Sequence, residues 1–176
     1  GTPSARVAAS MTVDLGSGQV VLFGGDVSYS PTSQTWLYGA SYLALGAGCA
    51  GSNGIPLLAT SGRPVLGGQT LFTMSNLNPI APAALLDLGF SNSNWSGVPL
   101  PADLSGLGMT GCTLYASMDL NFVIPASAGS GQLLVSIPSN PVFFGTRVYL
   151  QGLSYDPGIN PLDFVLSNAL TALLGN

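Results

Sequence analysis

The sequence predicts an all-β chain built around an antiparallel β-sandwich, and three observations predict it. Apolar residues recur at every second position in short runs, the period of a half-buried strand. Those runs are punctuated by Gly, Pro, Asn and Ser, with 24 Gly and 13 Pro in 176 residues. The runs also follow one another at the spacing of a sandwich, without long helical patterns between them. The expected architecture is a jelly-roll or immunoglobulin-like sandwich preceded by an N-terminal β-hairpin and strand.

The elements follow in chain order. Residues 6–14 alternate, with Val7, Ala9, Met11 and Val13 on one face and Ala8, Ser10, Thr12 and Asp14 on the other. Leu15-Gly16-Ser17-Gly18 reads as a turn, and 19–23, with Val20 and Leu22, returns as the hairpin partner. After Gly24-Gly25 a third strand is expected over 34–38. Further strands are expected over 55–60, 69–75, 83–90, 112–117, 120–124, 132–137, 146–155 and 166–174. Breakers such as Gly67-Gly68, Asn140-Pro141 and Asp156-Pro157-Gly158 lie between them. Only 82–88 and 161–174 also admit a helical reading; a strand is preferred for the second, with Gly175 near its end.

Composition narrows the function. Charged residues make up 6% of the chain, against roughly a quarter in an ordinary domain. There is no His, Lys or Glu, only Arg6, Arg63, Arg147 and seven Asp, for a net charge of −4. Three scattered arginines cannot neutralise a phosphate backbone, which excludes nucleic acid as a partner. Without His, a zinc or iron site of the usual nitrogen and sulfur type cannot be built. No apolar run reaches the 18 residues of a membrane span. The chain opens Gly-Thr-Pro-Ser, so any secretory leader is expected to have been removed already.

Catalysis would have to rest on Asp alone, and every Asp stands beside a turn signal or at a strand end, the usual place of structural aspartates. No serine has a His to activate it. The chain is therefore expected not to be an enzyme and to carry no cofactor. Cys49 and Cys112 sit in similar Gly-Cys settings, and an even count in such a chain points to one disulfide in an oxidising compartment. Closing that ~60-residue loop would stabilise by about 4 kcal/mol; two buried free thiols are the alternative.

Two binding sites come into question. Asp156, Asn160 and Asp163 fall within one Pro/Gly loop and offer hard oxygen ligands for calcium, against a plain turn fixed by two prolines. Trp36, Tyr38, Tyr42, Trp95 and Tyr115 could make a sugar-stacking platform. Within that set Trp95, beside Asn94 in the polar loop 91–97, is the best-placed aromatic; a Trp tucked over the core edge is the plainer reading. Asn94-Trp95-Ser96 is also a formal N-glycosylation sequon.

Two resemblances appear. Met11 to Asp14, then Gln19-Val20-Val21-Leu22-Phe23-Gly24-Gly25 and Thr35-Trp36-Leu37-Tyr38, resemble a single kelch-type repeat over about 35 residues. That repeat makes one propeller blade, and no second copy follows, so a closed propeller is excluded within this chain. From Tyr42 onward the chain resembles a β-sandwich module found at the C-terminal ends of large secreted bacterial proteins, notably of planctomycetes. The residues carrying this are Gly46 to Gly54, Gly108 to Tyr115 and Asp156 to Pro161. The resemblance implies extracellular location and a Cys49–Cys112 bridge, and brings no catalytic residues. The expected division is a 1–41 extension and a 42–176 sandwich.

The expectation for function rests on physics more than on likeness. A chain with ten charges must bury or share its apolar surface, and an orphaned hairpin presents unpaired backbone that a neighbouring sheet can satisfy. The expected function is an extracellular or cell-surface structural subunit that assembles head-to-tail with identical subunits into a filament or layer. The N-terminal strand residues Val7, Ala9, Met11, Val13, Val20 and Leu22 would make the joint. The alternatives are a monomeric glycan- or ligand-binding module and the surface-retention tail of a larger secreted protein.

Overall fold

The computed structural model describes residues 4–14 and 19–175. The first part of the chain forms β1 (Ser10–Asp14), β2 (Gln19–Phe23), the short β3 (Asp26–Val27) and β4 (Ser30–Pro31), and β5 (Thr35–Tyr38). β1, β2 and β5 make one antiparallel sheet in that order, and β3 pairs with β4 in a small ribbon. Met11 stands opposite Leu22, and Val13 opposite Val20, with Leu22 opposite Trp36. One face of this sheet therefore carries an apolar set, as the alternation requires.

β1 is shorter than the alternation over 6–14 predicts. Ala8 has φ +56°, a left-handed conformation that breaks the pleat, and Val7 instead exchanges backbone hydrogen bonds with Asp26 at 3.1 and 2.8 Å. Val7 and Ala9 thus do not extend the row of Met11 and Val13. The expected turn at 15–18 lies outside the described residues.

The rest of the chain supplies β6 (Ser41–Leu45), β7 (Leu57–Ser61), β8 (Gln69–Ser75) and β9 (Ala83–Gly89). A long excursion follows, with β10 (Asn94–Trp95), β11 (Val98–Pro99), β12 (Ala102–Asp103) and β13 (Thr113–Leu114). β14 (Leu120–Ser127), β15 (Ser130–Ser136), β16 (Arg147–Tyr155) and β17 (Phe164–Leu173) complete it. Eight of these form one sheet in the order β6-β17-β16-β9-β14-β15-β8-β7, antiparallel throughout. The expected all-β, sandwich-like fold is what the chain adopts.

The sheet doubles over between β14 and β15, so that a layer of five strands faces a layer of three. Leu58, Phe72 and Met74 from the smaller layer pack against Ala84, Leu86, Ile124, Val148, Leu150 and Leu170 from the larger. Ile124 and Met74 are fully buried, each contributing about 1.5–3 kcal/mol by leaving water. The far side of the sandwich is stapled shut. The Asn168 side chain on β17 accepts from the Leu58 N–H at 2.8 Å and donates to its carbonyl at 3.1 Å, replacing a rung of the ladder with a side-chain amide.

Within segment 161–174, where a strand is preferred, β17 occupies Phe164–Leu173. The strand expected over 112–117 is reduced to the two residues of β13 because the excursion is tied down by side chains instead. Gln151, fully buried, accepts from the Tyr115 N–H and donates to the carbonyls of Thr113 and Ser167. Beside it a second core gathers Met109, Val165 and Leu166 around the Cys49–Cys112 disulfide, whose Cα atoms are 4.7 Å apart. β6 lies outside the predicted strands, because Ser-Tyr-Leu-Ala-Leu carries no clean alternation.

Candidate functional site

The site begins with a hairpin. Ala128 and Gly129 at the β14–β15 turn both have positive φ, the two-residue turn that twists correctly into antiparallel strands. The pairing it starts does not last: Ser127 faces Ser130, Ala126 faces Gly131, and there the ladder stops. The next hydrogen-bonded rung would join positions 125 and 132. Position 125 is proline and has no N–H to give. From that point the strands part, β14 staying with β9 and β15 with β8.

Exposure along β14 records the opening. The inward-facing Ile124 is fully buried, Phe122 is half-buried, and Leu120 is 49% exposed. Between the separated strands lies a cavity of about 300 Å³, open to solvent on one side. Tyr42, Phe72, Leu86, Phe122, Val135 and Val148 line its interior, and among the described residues no charged side chain lines it. Its few polar groups include Ser136, Thr146 and the Tyr42 hydroxyl, which is bonded to Thr70 Oγ1 at 3.1 Å. Burial raises the Tyr42 phenol above its ordinary range, against a smaller lowering by the Thr70 bond, so it stays neutral. At the mouth Phe90 and Phe143 line the cavity, and Val142 and Phe144 flank Phe143 with most of their surface exposed.

The sequence-predicted residues fall elsewhere. Met11 and Val13 are 73% and 53% exposed on β1, with Val20 and Leu22 half-buried across from them. Trp95 is half-buried in the β10–β11 ribbon, opposite Val98, and does not line the cavity. The Asn94 side chain accepts from the Gly97 N–H at 3.1 Å and so holds that turn. The expected aromatic platform is dispersed: Tyr42 faces the core edge-on to Phe72, Tyr115 covers Gly46, and Trp36 belongs to the N-terminal sheet. The side chain of Tyr38 lies outside what is described.

Asp156, Asn160 and Asp163 do not form a ligand set. Asp156 is buried and turned inward, accepting from Ser52 N–H at 2.7 Å, Ser52 Oγ at 2.7 Å and Asn78 Nδ2 at 2.8 Å. Burial works to raise its carboxyl, but these donors outweigh it and hold it below the ordinary range. Asp163 accepts from the Gly158 N–H, and Asn160 from the Leu162 and Phe164 N–H groups, so each builds its own turn. Asp156 earns its place by joining three distant segments.

Sequence reasoning missed the cavity and its rim. Alternation makes strands legible at 120–124 and 132–137, but it does not reveal what Pro125 beside a two-residue turn does to their pairing. Phe143-Phe144 between Pro141 and Gly145 was a second signal, since a turn holds adjacent aromatics toward solvent.

Fold and cavity together define an all-β sandwich module with one side stapled and one side open. No family model matches this chain, and no curated protein or solved structure matches it either. Among the described residues no helix is long and apolar enough to cross a membrane.

Proposed function

We propose that this chain is an extracellular, non-enzymatic structural subunit that assembles head-to-tail with identical subunits, its N-terminal strand adding to a neighbour's sandwich. The observation that carries the reading is the open side: two sheet edges separate over an apolar cavity whose mouth holds Phe90, Leu120 and Phe143 in partial exposure. Exposed apolar surface beside unpaired strand edges is the combination that seeks another strand. The same chain carries β1 at the edge of its own sheet, with Met11 and Val13 exposed. An N-terminal strand on every subunit and an acceptor on every sandwich make a contact that repeats without closing, which gives a filament or a layer. The disulfide supports an oxidising, extracellular setting.

Electron microscopy and sedimentation of the full chain, beside a chain lacking residues 1–23, test this directly. Ordered polymers from the full chain and folded monomers from the shortened one are expected. A full chain that stays monomeric at high concentration overturns the reading.

A cavity of about 300 Å³ without a charged wall also supports a second reading, a module that binds a small uncharged apolar ligand. A hydrophobic dye whose fluorescence rises equally with full and shortened chains, in the absence of polymers, favours that one.

A further inference from the structure

Resting on the self-assembly reading, we infer that the acceptor is the free edge of β15, where the exposed backbone of Gln132, Leu134 and Ser136 receives β1 of a second copy. The backbone directions follow from the ladders. Ser130 pairs with Ser127 across the turn, and the Ile137 N–H donates to the Gly68 carbonyl on the other side. In an antiparallel ladder the backbone groups alternate sides along a strand. Gly131, Leu133 and Val135 therefore direct their N–H and C=O groups to β8, and Gln132, Leu134 and Ser136 direct theirs to the open side. That edge offers three donors and three acceptors.

The facing edge of β14 is the poorer template. By the same alternation Asn121, Val123 and position 125 point outward, and Pro125 has no donor. Strand addition is driven by a row of main-chain bonds, with side chains choosing the register. The complete row is on β15.

The second copy is the occupant that fits. β1 is five residues long and is the edge strand of its own sheet, so its outer side can pair while β2 stays attached. Docked on β15 with Met11 and Val13 turned inward, it lays the apolar face of the N-terminal sheet across the cavity mouth. Neither Met11-Thr12-Val13 nor the cavity lining brings a charge to be desolvated. The area reaches the lower bound of a specific interface, about 1,000 Å² in total over both partners. The exposed parts of Phe90, Leu120, Val142, Phe143 and Phe144 come to roughly 500 Å², taking ~200 Å² for a whole Phe side chain. A stable interface covers about 800 Å² per partner, and the β15 edge with the outward Leu134 side chain, 57% exposed, supplies further surface.

Hydrogen exchange on the unmodified full chain, assembled and then diluted to monomer, reads the site without any substitution. The amides of Gln132, Leu134 and Ser136 are expected to exchange about a hundredfold more slowly in the polymer than in the monomer, with those of Leu133 and Val135 little changed. Polymers in which these three amides exchange as fast as in the monomer overturn the β15 assignment and leave strand-mediated assembly standing. A chain that forms no polymer overturns both. A Leu134→Pro variant gives an independent check, because it removes the central donor: folded monomers with the disulfide intact are expected. Polymers of unchanged length from this variant count against the assignment.

Discussion

Asp87 is the least comfortable residue in the sandwich. It stands inside β9, not at the strand end or turn expected of every Asp, opposite Asn121 of β14 and Gln151 of β16; it is 1% exposed, and among the described residues its Oδ2 has no hydrogen-bond partner. The Asn121 amide donates to Oδ1. Burial pushes the carboxyl up to about 6, against a smaller lowering by Asn121. The folded chain therefore keeps a proton that the unfolded chain, at the ordinary value of 3.8, has already released. Stability must fall as pH rises through the window from about 4 to 6, by at most about 3 kcal/mol. Asp103, Asp119 and Asp156 act in the opposite sense. Ser105 hydrogen bonds hold Asp103 low, and Ser117 and Phe90 hold Asp119 low, so their stabilisation is lost only as pH drops below the ordinary carboxylate range. Thermal melts across pH 3–8 should peak between pH 4 and 5. Asp87→Asn should raise the midpoint at pH 7 and flatten the decline above pH 4; an unchanged slope would remove Asp87 as its source.

One side chain closes the far side of the sandwich and one disulfide ties down the excursion, and both can be cut. Asn168 supplies the two bonds to Leu58 that stand in for a rung, and removing its amide leaves a buried N–H and C=O unpaired. Asn168→Ala should lose about 2–4 kcal/mol in a denaturant titration. The Cys49–Cys112 bridge spans 63 residues and ties the excursion to the turn after β6; replacing both cysteines by Ala should lose about 4 kcal/mol. The two losses should add closely if the sites act separately, and a shortfall would mean that they brace the same β17 segment. At this scale the sequence was informative where side chains alternate or turns are punctuated. β8 is readable from the alternation that puts Phe72 and Met74 on one face, β9, β16 and β17 from runs rich in Val, Leu and Ala, and the disulfide from the paired Gly-Cys settings. Ala8 broke β1 through a backbone conformation that alternation does not encode. Segment 112–117 is held by Gln151, 36 residues from Tyr115 and 38 from Thr113, and no local pattern announces such a bond. The open side was the hardest to see, because it follows from one proline placed at one rung of a ladder.

At the scale of the whole molecule the scarcity of charge becomes a constraint on association. The chain carries a net charge of −4 with a sequence pI near 4.1, so identical subunits repel one another at neutral pH. The contact proposed above consists of main-chain bonds and apolar side chains, whose attraction changes little with salt. Only the repulsion responds, and it is screened beyond about 8 Å at physiological ionic strength. Assembly should therefore strengthen as salt is raised from about 10 mM toward 0.5 M, where the screening length falls to only a few ångströms. It should also strengthen as pH is lowered from 7 to 4.5, where the net charge shrinks and protonation of Asp87 makes the sandwich more stable. Sedimentation of the full chain over a grid of pH and salt reads both effects. Polymers that dissolve on adding salt would instead require a joint made of ion pairs, and three arginines facing seven aspartates leave few to make one.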